Sequence, residues 1–148
     1  MAGFRTGTNS FALDLSRFAK KADVEMTTVV KKITFEAFKR IILRTPVDTG
    51  RARANWGVTI GRPRTPMMIE STDKSGGSTL NAAMDQVQQF SCEGSIFLTN
   101  NVPYIGALEY GSSTQSPQGM VRVTVEEMTQ FLKKESISAI KTRTSGGS

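Results

Sequence analysis

From Ser16 to Arg44 the chain contains neither glycine nor proline, and it then meets Pro46. Within that run Leu15, Phe18, Ala22, Met26, Val29, Ile33 and Ala37 recur at three- and four-residue steps, the spacing of an amphipathic helix. Unbroken, such a helix is about 43 Å long at ~1.5 Å per residue. Asp23 offers an N-cap at which it can restart. Arg17, Lys21, Lys31 and Lys32 form a basic stripe on the opposite face, which reads as a solvated surface. Phe35, Phe38 and Ile42 make a second apolar patch on that same side. The helix end is therefore covered on both sides, either inside its own domain or by a neighbouring subunit.

Pro46 cannot continue the helix and disfavours helical geometry at Thr45, so the helix stops at about Arg44. In PVDTG, Asp48 can accept from the backbone two residues on and Gly50 can take a positive φ, so the segment is a tight reversal. Next, Ala52, Ala54, Trp56, Val58 and Ile60 alternate with Arg51, Arg53, Asn55 and Thr59, predicting a half-buried strand with its arginines facing out. Residues 61–79, GRPRTPMMIESTDKSGGST, predict a long projecting loop or arm with Met67, Met68 and Ile69 as its contact point. A helix over 80–91, a strand over Ser95–Asn100, a short helix between Pro103 and Gly111, and a final helix over 119–141 follow. Phe11, Leu13 and Leu15 alternate as a short first strand. Residues 1–10 and 142–148, rich in Gly, Thr and Ser, read as flexible ends of one domain at 11–141.

Composition narrows the chemistry. A chain of 148 residues can bury a core without staples, and one cysteine, Cys92, forms no internal bridge, which suits a reducing cytosol. There is no histidine, so common zinc and copper ligand sets and the usual proton shuttle are missing. Glu126 and Glu127 are adjacent on a helix and diverge, and there is no phosphate-binding glycine loop, carboxylate metal loop or serine elbow. The reading is non-catalytic, without cofactor or metal. No apolar run reaches membrane-spanning length. Nineteen basic against thirteen acidic residues leave +6, pointing to a negatively charged partner. Arg51, Arg53, Arg62 and Arg64 could contact phosphates nonspecifically, or could form the basic edge of an oligomer interface.

Two segments, TPVDTGRARANW and NNVPYIGALEYGSSTQSPQGMVRVTV, together resemble the tail-completion and neck proteins of long-tailed bacteriophages, the group that includes the minor tail protein Z of lambda-like phages. The matching positions are Pro46 to Arg51; Pro103 and Tyr104; Leu108 to Gly111; and Pro117, Gly119, Met120, Val121 and Arg122. The likeness spans roughly residues 11–141 and leaves the 61–79 loop outside its pattern. It implies an α+β fold, with long N-terminal and C-terminal helices packed on a small antiparallel sheet. It also implies a structural role: a virion protein, assembled in the host cytoplasm, that completes the tail and helps join it to the head. A ring, six copies in this reading, is implied, with tail terminator, tail tube or head-closure protein as neighbours. The alternative is a basic DNA-contacting protein of the neck, or an independent nucleic-acid-binding module. Candidate interface residues are Asp48, Arg51, Arg53, Phe35, Phe38, Ile42, Tyr104, Tyr110, Arg122, Met67, Met68 and Ile69, together with Glu109. Glu109 either caps locally or pairs across subunits with Arg51, Arg53 or Arg122; in the second case Glu109→Arg leaves the monomer folded and blocks assembly.

Overall fold

The computed structural model describes residues 3–6, 10–14, 24–67 and 69–145. Its elements in chain order are β1 (Gly3–Thr6), β2 (Ser10–Asp14), α1 (Val24–Arg44), α2 (Arg51–Ala54), β3 (Trp56–Ile60), α3 (Gly77–Gln89), β4 (Ser95–Asn100), α4 (Ile105–Glu109) and α5 (Val121–Ser145). The four strands form one antiparallel sheet in the order β1-β2-β4-β3. The chain is an α+β protein in which α1 packs on α3 and α5, and α3 packs on β3.

Several expectations hold at the level of elements. Strand β4 has the predicted bounds, β2 differs from its predicted start by one residue, and α3 and α5 fall where the apolar spacing put them. The reversal after Arg44 forms, with Gly50 at φ 89°. Gly111 ends α4 in the same left-handed conformation, at φ 89°.

Four corrections follow from packing. First, the core face of α1 is Val30, Thr34, Ala37, Phe38, Ile41 and Ile42, while Val29 stays 46% exposed. Phe38 and Ile42, offered above as an interface patch, are fully buried, and Phe35 packs half-buried against the same core. The helix carried apolar residues on two sides, and burial selected the bulkier one. Leu15, Phe18 and Ala22 of the expected stripe, and Arg17 and Lys21 of the basic one, lie outside the described residues. Lys31, placed in that solvated stripe, donates its Nζ to the Gln88 carbonyl at the end of α3 (2.7 Å).

Second, Arg51–Ala54 is a helical turn and the strand begins at Trp56. Arginine and alanine are both strong helix formers, so RARA is free to coil. The turn is held by Ala54 N–H donating to Gly50 O (3.0 Å) and Asn55 N–H to Arg51 O (3.2 Å). Third, Gly3–Thr6 lies in strand β1, where a flexible end was expected, because the backbone of β2 offers it a ladder. At the other terminus α5 continues to Ser145. Fourth, the 61–79 segment folds back on the body, as shown below.

The core joins both layers: Trp56, Ile96 and Leu98 of the sheet meet Phe38, Ile41 and Ile42 of α1, Val87 of α3 and Met128 of α5. Buried Asn100 is satisfied, donating to Ala52 O (2.7 Å) and accepting from Val102 N–H (3.1 Å). Arg44 and Arg40 of α1 hold Glu127 of α5, at 2.8 Å and 3.3 Å. The Arg44 hydrogen bond, over the opposing effect of burial and with the charges of Arg44 and Arg40, keeps the Glu127 carboxyl below its ordinary pKa. Burial pushes Asp73 up, but hydrogen bonds from Thr79, Gly76 and Ser75 outweigh it and hold its carboxyl low as well.

Replacing Phe38 by Ala should cost about 3–5 kcal/mol of stability, read by denaturant unfolding, because the side chain is enclosed on all sides. The two lowered carboxyls set a sign for pH dependence. Their contribution is present above the ordinary carboxylate range and is lost as pH falls through the folded-state values. Melting temperature should therefore drop on acidification below about pH 4.5, and an Asp73→Asn, Glu127→Gln double variant should show a flatter profile. Parallel profiles for the two proteins would contradict this assignment.

Candidate functional site

The end of α1 leaves backbone carbonyls without helical partners. Thr45 Oγ1 donates to Ile41 O (2.8 Å) and itself accepts from Trp56 Nε1 (2.7 Å). Arg53 turns inward from α2 and donates Nη2 to Leu43 O (2.6 Å), Nε to Thr45 O (3.0 Å) and Nη1 to Lys74 O (2.6 Å). This corrects its expected outward position: a guanidinium finds acceptors and a favourable dipole at a helix C-terminus. Gly50 is required here, because a Cβ would lie 2.7 Å from Lys74 N in a left-handed backbone. The turn's side-chain acceptor is Thr49 Oγ1, which takes Arg51 N–H at 3.2 Å. Asp48 was expected to do this; it is exposed instead and makes no hydrogen bond or ion pair among the described residues.

A second clamp joins α4 to α5. The Glu109 carboxylate accepts from the N–H groups of Met120 (2.9 Å), Val121 (2.8 Å) and Arg122 (2.9 Å), the free donors at the start of α5. Arg122 returns Nε to the same carboxylate (3.2 Å) and Nη2 to the Glu109 carbonyl (2.6 Å), and lies 5.0 Å from the Tyr110 ring centre. Of the two roles considered for Glu109, the structure shows the local cap. A Cβ on Gly119 would overlap the Glu109 carbonyl, and one on Gly111 would overlap that of Pro117. LEYG and SPQGMVR are thus two halves of one closure.

The clamps meet. Gln115 pairs with the backbone of Val47 through both amide atoms, accepting from Val47 N–H (2.9 Å) and donating to Val47 O (3.0 Å), and Ser116 Oγ donates to Arg44 O. Between them lies a shallow groove of about 380 Å³ bordered by Asp48, Arg51, Tyr104, Leu108 and Gln115. Tyr104 is 42% exposed and Tyr110 77%. The two sequence motifs therefore share one surface, with Asp48 and Tyr104 facing solvent there.

The expected arm is tied down. Arg64 Nη2 donates to Asn55 O (2.6 Å); Asn55 brackets Ile69, donating Nδ2 to its carbonyl (3.0 Å) and accepting its N–H (2.6 Å). Asp73 N–H donates to Gly50 O (3.0 Å), and its carboxylate accepts from Gly76 N–H (3.0 Å) and Thr79 N–H (2.9 Å), capping α3. Met67 and Ile69 remain on the surface, 59% and 36% exposed, and Met68 lies outside the described residues. Arg51 is 3.9 Å from Glu70, an exposed pair of little energetic weight. Sequence reading missed Asn55, Gln115 and the cap at Asp73, and it gave Arg64 a phosphate or interface role where the structure gives it an internal hydrogen bond. For Asp73 a signal existed, an aspartate followed by Ser-Gly-Gly just before an apolar period; Gln115 carried none.

Among the described residues no cluster of three or more Cys, Asp or Glu could hold a metal, and no helix is long and apolar enough to cross a membrane. Glu109→Ala should destabilise the fold by about 1–3 kcal/mol through three orphaned amides, and Glu109→Arg by more, seen as a lowered melting temperature. A Glu109→Arg protein as stable as the parent would instead return this residue to the interface role. No family, characterised protein or solved structure matches the chain.

Proposed function

We propose that this chain is a structural protein of a long-tailed phage virion that completes the tail and helps join it to the head, acting in a hexameric ring and without catalytic activity. The observation that carries the reading is the convergence of its two resembling segments on one surface. Pro46–Arg51 and Tyr104–Arg122 lie far apart in sequence, yet Gln115 bridges them. Most motif residues are consumed in building that surface: Gly50, Glu109, Gly111, Gly119 and Arg122 shape backbone and caps. Asp48 and Tyr104 have no such duty and form the contact to a neighbouring subunit. A closed ring needs two different complementary patches on each copy, and the exposed Met67 and Ile69 supply an apolar second one. In this reading the protein assembles in the host cytoplasm and ends in the virion neck, beside a tail terminator, tail tube or head-closure protein.

The DNA-contacting alternative draws on the arginine cluster, but Arg53 and Arg64 are turned onto backbone carbonyls, which leaves Arg62 as its exposed member. DNA affinity that falls steeply with salt would revive that alternative.

Inactivating the gene in its phage and imaging the lysate should give filled heads separate from finished-length tails, or particles that attach tails without infecting. Normal infectious particles would refute the reading. Asp48→Arg should change stability by no more than about 0.5 kcal/mol, since the side chain is exposed, while abolishing ring assembly in sedimentation velocity. Rings of normal size from that variant would remove Asp48 from the contact.

A further inference from the structure

Strand β3 is the last strand of the sheet, and its outer edge carries no partner strand among the described residues. Gly61 N–H donates to Ser95 O (2.8 Å), which fixes the phase of the ladder. With Ile60 opposite Ile96 and Trp56 opposite Asn100, the hydrogen-bonded pairs are Gly61–Ser95, Thr59–Phe97 and Gly57–Thr99. By alternation the N–H and C=O groups of Trp56, Val58 and Ile60 point away from β4, and among the described residues none of them has a hydrogen-bond partner.

This edge is not bare. A groove of about 600 Å³ runs beside it, bordered by Trp56, Gly57 and Val58. Trp56 and Val58 face α3, whereas Arg64 lies where a Gly57 Cβ would be, on the opposite face, so the groove has lining on both sides of the strand and runs along its edge. Helix α3 forms one wall from Ser78 to Gln89, about 16 Å at ~1.5 Å per residue. Arg64, Ile69 and Ser71 to Asp73 of the returning segment form the other. That length accepts about five residues of extended chain.

The walls differ in chemistry. On the loop side Arg64 is half-buried over Gly57; its Nη2 is used by Asn55 O, its Nε has no acceptor, and no carboxylate of the described residues pairs with it. Burial lowers the Arg64 pKa with nothing opposing it. A cation held in that way lacks its counter-charge. The neighbouring Asp73 carboxylate is committed to the α3 cap. On the helix side the wall carries Ala82 and Ala83, small and apolar, between the polar Ser78 and Thr79 and the glutamines Gln86 and Gln89, with Asp85 disfavouring a second acid there.

We propose that the free edge of β3 takes an extended acidic segment of a partner protein as an added strand. Its main chain pairs with Trp56, Val58 and Ile60, an acidic side chain reaches Arg64, and the alternate side chains, small and apolar, lie against Ala82 and Ala83. Strand addition gives affinity through backbone bonds and specificity through alternate side chains. The inference stands apart from the tail-completion reading, and its test does not require phage.

The probe is a fluorescent peptide of about eight residues alternating valine and aspartate, compared by anisotropy with one alternating valine and lysine. The aspartate peptide binds, and Val58 and Ile60 amides gain protection from hydrogen exchange. Arg64→Ala weakens binding by about tenfold or more. Because that change could also loosen the loop, two milder variants accompany it. Ala82→Glu sits on an exposed helix position and fills the groove with like charge; Val58→Pro removes one outward N–H without breaking a ladder bond. Both should abolish binding while keeping the far-ultraviolet circular dichroism of the parent. Equal binding of the lysine peptide, full binding by both milder variants, or no binding of the aspartate peptide at millimolar concentration would overturn the proposal. So would self-association that Val58→Pro removes and the aspartate peptide does not compete with, which would give the edge to a second copy of this chain.

Discussion

The unpaired carbonyls at the end of α1 are the constraint on which the remaining structure depends. A helix that stops at a proline inside a folded body must have its last acceptors satisfied from elsewhere. Here the donors come from three separate parts of the chain: Thr45 itself, Arg53 of the helical turn that follows, and Ser116 of the segment before α5. Each donor brings its own segment with it. Arg53 also reaches Lys74 O and so anchors the end of the long loop, and Trp56 reaches Thr45 and so sets the first residue of β3. The positions of α2, β3, the loop and the α4–α5 connection all refer to this one helix terminus.

The second closure works by the same physics with the sign reversed. The start of α5 presents free N–H groups and a positive dipole end, and an anion from α4 receives them. Glu109 and Arg122 look from their types like partners for another molecule, yet each is engaged within the chain. The glycines around them are required because backbone passes too close for a Cβ. A surface built from such saturated groups has few backbone polar atoms left to reorganise. It leaves few side chains free for outside contacts, which concentrates the functional proposal on Asp48, Tyr104 and the exposed Met67 and Ile69.

Legibility differed sharply between elements, for reasons that can be assigned residue by residue. The termini at Pro46, Gly50 and Gly111 were readable because the residue itself carries the restriction: a missing N–H, a fixed φ, or access to positive φ. Strand β4 and helix α5 were readable because their period is unambiguous over enough residues. RARA was misread because an alternation of four residues is equally compatible with a helical turn, and the deciding hydrogen bonds begin at Gly50. The loop was misread because glycine and proline signal irregular backbone without saying where it goes. Its return depends on Asn55 and Arg64, whose acceptors are distant in sequence.

By itself, then, the sequence determined the stops at Pro46 and Gly111 and the residues able to sit in them, since these follow from local backbone chemistry, while the α+β class was what the resemblance implied. Tertiary structure decided which side of α1 is core, that Phe38 and Ile42 are enclosed, that Arg53 and Glu109 serve helix ends, and that two distant motifs share a surface. Those outcomes depend on which faces bury the most apolar area together and on which unpaired backbone groups happen to be within reach, and no single segment contains that information.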